Sequence, residues 1–516
     1  MMLKTYTMLS VASMLLCCLL KAADDTAINQ LQSLYHSLQQ GSLAEQAAFA
    51  ELYPDTAEGA QASQTVWQLL TGTQNREPPP QWPVGIVQKV VNRFVNPSAD
   101  SPEIPTELLN DLLIQHAREL PHRKLRGHQI WSEAELIALP SEEIDLARGL
   151  LISQRLTESQ ILSYESCLDL MALQVLASVP VEHNALDLVR ALSNFIFVKQ
   201  RFRFPPKHRM NVEIDQWTIL SQVLDSRRGV CLGVSQLYLC LAQRLGINLE
   251  ILTPPGHIFV RWAEDGRDWN IETTAHGMPL PTATYLGLTC RSLTPRSLRE
   301  VLGMNLYNAA SRPLSDGRSE EALQLYERAE QYMPDDPNLL KAKGMALVGC
   351  GRTVEAKQVL EQVKDLVTEE QVVPDDLVRE VLQGDADAEL LRLILREMPT
   401  ERKALYALLD DITAAIERKP NCFSAYHHLA VVYLNLGRTA EAFEVVQRAY
   451  QRGCRNPFLV YLACELSLHR FDLIRAAEYF TTLKDALQQA NHYPQIVEDI
   501  EQRLTYMGAL DYIREG

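Results

Sequence analysis

Cys231, His257 and Glu272 stand in an order and at a spacing that suit acyl-transfer chemistry. After Cys231, the apolar residues Val234, Leu237, Tyr238, Leu241 and Leu245 recur at helical spacing until Gly246 ends the run, which puts the thiol at a helix N-terminus. Unpaired backbone N–H groups and the positive end of the helix dipole favour a thiolate there. Such a nucleophile needs a base and a group that orients the base. His257 follows Cys231 by 26 residues and Glu272 follows His257 by 15. Both are expected on neighbouring strands across the turn Glu264-Asp265-Gly266, which sets imidazole and carboxylate side by side. Asn270 shares the strand face of Glu272 and is an alternative orienting residue. Taken singly, Cys231 reads as a small packing residue and His257 as a turn residue. Their order together favours a catalytic set.

Positioning these groups requires helices before Cys231 and a sheet after it. Helical patterns cover 158–178 and 184–199, and Ser141-Glu142-Glu143-Ile144 has the Ser cap and early acids of a helix start. Between 246 and 290 the chain breaks into short apolar runs separated by Gly and Pro, the mark of antiparallel strands. The stretch from Leu168 to Gly277 resembles the bacterial transglutaminase-like core domain. The resemblance is carried by Leu168-Asp169-Leu170-Met171-Ala172, Arg227-Arg228-Gly229 before the Cys, Leu237-Tyr238-Leu239, Ala242-Gln243-Arg244-Leu245-Gly246, Pro255-Gly256-His257-Ile258-Phe259-Val260-Arg261 and Asn270-Ile271-Glu272-Thr273-Thr274. It implies a papain-like fold with Cys231 as nucleophile, His257 as base and Glu272 at the acid position. Family members fused to repeats have often lost the Cys, which this chain keeps. The family's acid is usually Asp, and Glu272 is one methylene longer.

From about 303 the pattern is helical and repetitive. Gly-Arg-x-x-Glu-Ala occurs at Gly317, Gly351 and Gly437, and the first two lie 34 residues apart, the period of tetratricopeptide repeats. Ala442, Val446 and Ala449 fall where two antiparallel helices knit together, with Tyr426, Leu429 and Ala430 facing them. Repeats near 389, 423 and 457 share one phase, and those near 303 and 337 another. The acidic stretch 371–388 absorbs the slip.

The expected architecture is an α+β transglutaminase-like (papain-like) domain with N-terminal helices, followed by an all-α tetratricopeptide-repeat solenoid. Residues 1–23 read as a signal peptide: Lys4, then an uncharged run from Met8 to Leu20, too short to span a bilayer comfortably. Export is therefore expected, with anchoring by this segment or by lipid on Cys17 or Cys18 as the alternative. Residues 24–83 form a helical region ending in the linker Glu77-Pro78-Pro79-Pro80-Gln81-Trp82-Pro83. The transglutaminase-like domain with its leading helices takes 84–300. Repeats take 301–370 and 389–490 on either side of the 371–388 break, and a C-terminal helix takes 491–516.

The net charge of −16 argues against phosphate binding, so no nucleic-acid partner is expected. The ten Cys include no CxxC pair, and no cofactor or metal is expected. The mature chain has no stable membrane span. Two functions fit: a thiol hydrolase or acyl transferase whose repeats dock a peptide or protein, and a non-catalytic interaction scaffold that retains the domain.

Overall fold

The computed structural model describes residues 25–72 and 117–509, apart from 181, 207–213, 265, 368–371 and 374–375. The expected signal peptide and the Pro-rich linker lie outside the described residues. Three helices open the described chain, Asp25–Ser37, Leu43–Leu52 and Ala57–Thr71; Ser42 and Thr56 cap the second and third through their side-chain oxygens. The third packs on the long helix Glu158–Ala177.

The helices expected before Cys231 are present. Glu158–Ala177 begins with a reciprocal Thr157–Gln160 capping box and Ala185–Asn194 with an Asn184–Asp187 box. The second continues as a π-helical turn, Phe195–Lys199. The Ser141 start differs from expectation. Ser141–Glu143 is a 3-10 turn after Pro140, and Asp145 caps the helix Leu146–Ser153 instead. Ser141 Oγ is engaged elsewhere, accepting from the Arg299 backbone N–H at 3.2 Å. A long-range contact has displaced the local cap.

The helix Cys231–Leu245 is buried along nearly its whole length and lies against a five-stranded antiparallel sheet. The strands are β1 (Glu250–Leu252), β2 (Phe259–Glu264), β3 (Arg267–Glu272), β4 (Met278–Pro279) and β5 (Pro295–Arg296), in the order β4-β3-β2-β1-β5. The register pairs Val260 with Ile271 and Arg261 with Asn270. Val260 and Ile271 face the core, while Arg261 pairs with Glu250 and Asp268 toward solvent.

The chain passes from β5 directly into helix pairs. Leu298–Ser315 pairs with Ser319–Glu330, Pro337–Gly349 with Thr353–Glu361, Phe423–Asn435 with Thr439–Gln451, and Pro457–His469 with Leu473–Gln489. The recurring Gly-Arg-x-x-Glu-Ala is the joint inside three of these pairs. Gly317, Gly351 and Gly437 adopt φ of +78°, +76° and +73°, the left-handed cap that glycine enters without a Cβ clash. The next residue, Arg318, Arg352 or Arg438, donates its N–H to the carbonyl five residues back, and its guanidinium meets Glu321, Glu355 or Glu441. Ala322, Ala356 and Ala442 are buried in the seam, where a larger side chain would hold the helices apart. Between the second and third of these pairs lie the helices Asp376–Gln383, within the stretch assigned to the phase break, Ala388–Ile394 and Arg402–Arg418. Gln495–Tyr506 closes the described chain. No described helix is long and apolar enough to cross a membrane.

Candidate functional site

The loop before Cys231 is fixed by its backbone. Arg227 ends the helix Leu220–Ser226 in a left-handed conformation, φ 55°. The Arg227 carbonyl accepts from Arg203 N at 3.0 Å, Gly229 N donates to Arg203 O at 3.2 Å, and Val230 N donates to Trp217 O at 3.2 Å. Two glycines permit this. A Cβ at 233 would stand 2.1 Å from the Trp217 carbonyl oxygen, and one at 229 would stand 2.9 Å from Val234 Cγ2. Cys231 is the first residue of its helix, half-buried. One turn on, Ser235 Oγ lies 3.1 Å from Thr273 Oγ1, which pins the helix start to the end of β3.

His257 sits in the turn before β2 rather than on the strand, with its N–H donated to Pro254 O at 3.0 Å. It lines the same cavity as Cys231. Its Nε2 lies 2.7 Å from Glu272 Oε2. The hydrogen bond with Cys231, then that with Glu272, raise the imidazole to about 9 against the effect of burial. Burial opposes the charge of Glu272, but hydrogen bonds from His257 and Thr274 hold its carboxyl down at about 2. At neutral pH the imidazole is therefore a cation beside a carboxylate. The extra methylene of Glu is accommodated because both carboxylate oxygens are held. Oε1 accepts from Thr274 N at 3.0 Å and Thr274 Oγ1 at 2.6 Å, and Oε2 accepts from Tyr285 Oη at 3.0 Å.

Asn270 does not take the orienting place. Its Nδ2 donates to Leu280 O at 2.8 Å and Thr282 Oγ1 at 3.1 Å, which anchors the loop that delivers Tyr285. Tyr285 was not legible in the sequence. Its ring lies parallel to that of His257, with centroids 6.1 Å apart, and stacks on Phe259 at 3.9 Å. No period or motif marks it. Thr274 did have a signal, as the end of Asn270-Ile271-Glu272-Thr273-Thr274.

Residues 163–300 match the model of the transglutaminase-like superfamily, and residues 314–371 match the tetratricopeptide-repeat model. The chain carries a transglutaminase-like domain followed by tetratricopeptide repeats. No curated protein matches it. Among solved structures it is similar to a tetratricopeptide-repeat protein of Parabacteroides merdae, at 19% identity over 39% of this chain and 71% of that one, TM-score 0.22. A thermophilic repeat protein of Thermus thermophilus aligns at 21% identity over 40% and 98%, TM-score 0.19. Menin, whose structure reveals its binding site for the Mixed Lineage Leukemia protein, aligns at 9% identity over 72% and 92%, TM-score 0.33. These TM-scores are too low to speak for a common overall fold.

The repeats form the far wall of the cleft that holds Cys231 and His257. A cavity of about 590 Å³ is lined on one side by Cys231 and His257 of the transglutaminase-like domain, and on the other by Tyr307, Asn338, Asp376 and Phe458 of the helical array. Ion pairs hold the two walls in place. Arg296 of β5 reaches Glu300 and Asp336, each at 3.1 Å, and Arg328 of the repeats meets Glu133 at 3.0 Å. Val372 N donates to Thr289 O at 3.2 Å, so the segment after the first repeats is tied to the domain as well.

Two family-like segments that lie away from the thiol meet in a buried ionic cluster. Arg244 Nε donates to Asp169 Oδ1 at 2.8 Å and lies 3.9 Å from Asp145; Arg123 also reaches Asp169. Burial opposes the charge of Asp169, yet Arg244 and His122 hold its carboxyl below the usual range. Beside it, Arg148 makes a two-pronged pair with Glu165. Among the described residues, His122, His128 and Asp145 bring potential metal-ligating atoms within 4.8 Å of one another. The Arg244 guanidinium next to Asp145 already supplies the positive charge there, and burial followed by Arg244 lowers His122 to about 4. The cluster reads as the brace between the Glu158–Ala177 and Cys231–Leu245 helices.

Proposed function

We propose that the chain is a thiol hydrolase or acyltransferase that acts on a peptide or protein segment held by its repeats. The observation that carries this reading is the hydrogen-bonded His257–Glu272 pair set with Cys231 in one cleft walled by the repeats. Glu272 occupies Nε2, so Nδ1 is the ring nitrogen that serves the thiol. The Cys231 sulfur attacks an amide carbonyl, and the tetrahedral adduct expels the amine, which takes its proton from the His257 imidazolium. The product is a thioester on Cys231. Water or a second amine then attacks it, His257 accepts the incoming proton, and the sulfur leaves as the thiolate beside the restored imidazolium, the pair from which it attacked. Water yields the acid, whereas an amine yields a new amide. Glu272 keeps the ring oriented and its cation stabilised throughout. Export is proposed on the charged-then-apolar opening segment, and N-terminal sequencing of the native protein tests it.

The experiment is site-resolved alkylation. Iodoacetamide at neutral pH, followed by peptide mapping, should label Cys231 ahead of the buried Cys167, Cys240, Cys422 and Cys464. His257→Ala should slow that labelling. A glutamine-containing peptide should then release ammonia or take up a fluorescent amine, and Cys231→Ala should abolish both. Labelling of Cys231 no faster than that of the buried cysteines overturns the catalytic reading and leaves the scaffold.

A further inference from the structure

The cleft that starts at the thiol does not end on the first repeats. A second cavity, of about 140 Å³, lies further along the helical array, and the two share Asp376, Ser424, Asn456 and Phe458 among their lining residues. These four form a junction at a distance from the reacting groups. Phe458 exposes 44% of its surface, unusual for an aromatic side chain flanked by buried Leu459 and Val460. Asn456 organises the junction from both sides. Its Oδ1 accepts from Phe458 N at 2.9 Å, and its Nδ2 donates to Asp376 Oδ2 at 2.7 Å. Asp376 is held in place by that neutral donor and, among the described residues, forms no ion pair. A second observation comes from the smaller cavity. His428 lines it, and the buried Nε2 of His428 has no hydrogen-bond partner. An aromatic face and a carboxylate that forms no ion pair among the described residues thus border one recess.

Each of these groups suits a cation that carries N–H donors. The aromatic face attracts the charge and packs the aliphatic stem. The carboxylate supplies the opposite charge and accepts the cation's N–H groups. Elsewhere the larger cavity is mixed in charge, with Arg296 and Lys341 lining it together with Glu300 and Asp336. At the junction, Asp376 is the one charged residue of the four. The net charge of −16 adds a long-range field that draws basic segments.

We propose that the Asp376–Phe458 junction is a subsite for a lysine or arginine side chain of the same peptide that presents its acyl group to Cys231. The inference rests on the proposed thiol chemistry for the identity of the acyl donor, but not for binding. It assigns the substrate class as an extended basic segment, read at two points: the carbonyl at the thiol and a cationic side chain further along the repeats.

The test uses the full chain carrying Cys231→Ala, so that nothing turns over. Fluorescein-labelled peptides with a central glutamine carry one lysine moved through each flanking position, and parallel sets carry glutamate or norleucine. Anisotropy should show tighter binding for lysine over glutamate by about tenfold at one or two adjacent positions only, weakened by salt. Asp376→Asn keeps the hydrogen bond to Asn456 and should remove most of the preference. Phe458→Ala should weaken the lysine peptide more than the norleucine one. Equal binding of all sets, no binding of any, or a lysine preference indifferent to Asp376→Asn overturns the proposal. Labelling of Cys231 in the unmodified chain tests the thiol reading separately: its failure strikes that reading, while the lysine preference is judged by anisotropy alone.

Discussion

Replacing Glu272 by Gln removes a charge and keeps the length of the side chain, so it asks what that charge does to His257. In the folded protein Glu272 Oε2 is 2.7 Å from His257 Nε2, and the imidazole is raised to about 9. A hydrogen bond to a charged partner is worth about 1.5–3 kcal/mol, and one pKa unit corresponds to about 1.4 kcal/mol. Glutamine should therefore lower the imidazole by about 1–2 units. The assay is the rate of iodoacetamide labelling at Cys231 as a function of pH. The limb at which the imidazolium loses its proton should move from about 9 toward neutrality. Stability follows with a definite sign. His257 is raised, so its contribution is fully present below its unfolded value near 6.5 and is lost as pH rises through about 9. Glu272 is depressed, so its contribution is present above 4.5 and lost as pH falls through about 2. The denaturant midpoint of the native chain should exceed that of Glu272→Gln most clearly near pH 6, by about 1–2 kcal/mol after screening at this partly open site. The difference should shrink as pH rises through about 9, leaving the part that Thr274 and Tyr285 hold through the carboxylate. Superimposable labelling profiles for the two proteins would refute the assignment of Glu272 as the group that holds the imidazole.

Tyr285→Phe deletes one donor to Glu272 and keeps both ring stacks; the same limb should shift by about half a unit or less, with little change in denaturant midpoint. Gly233→Ala places a methyl on the Trp217 carbonyl and should cost about 1–3 kcal/mol while slowing Cys231 labelling, read from urea unfolding and peptide mapping. Arg244→Met strips the buried Asp169 and Asp145 of their shared cation, and a loss of about 3–5 kcal/mol is expected; a neutral result in urea would remove the bracing role. Ala442→Leu should overpack the repeat seam by about 1–3 kcal/mol, and an unchanged midpoint would contradict its burial.

Local signals made much of this molecule legible in the sequence. The helix that begins at Cys231 and ends at Gly246 follows from apolar period and a glycine stop, because both act within a few residues of chain. The repeat joints at Gly317, Gly351 and Gly437 follow from one motif, since the left-handed glycine, the Arg–Glu pair and the small Ala are all set inside six residues. The pairing of β2 with β3 brought His257 near Glu272 as the turn between them requires. Other features came from contacts between distant segments, which local pattern does not encode. Ser141 looked like a cap, but Arg299 claimed its hydroxyl across 158 residues and Asp145 took over the helix. Asn270 and Glu272 share a strand face. Only the loop at 280–285 distinguishes them, by occupying the Asn270 amide and sending Tyr285 onto the carboxylate. The Asp169–Arg244 pair joins two segments whose purpose the sequence does not reveal, because burying a charge requires a partner that the fold supplies from elsewhere in the chain. The cleft itself belongs wholly to tertiary structure. Its walls come from residues as far apart as Cys231 and Phe458, and no spacing along a chain says that a thiol and a repeat surface will face one another.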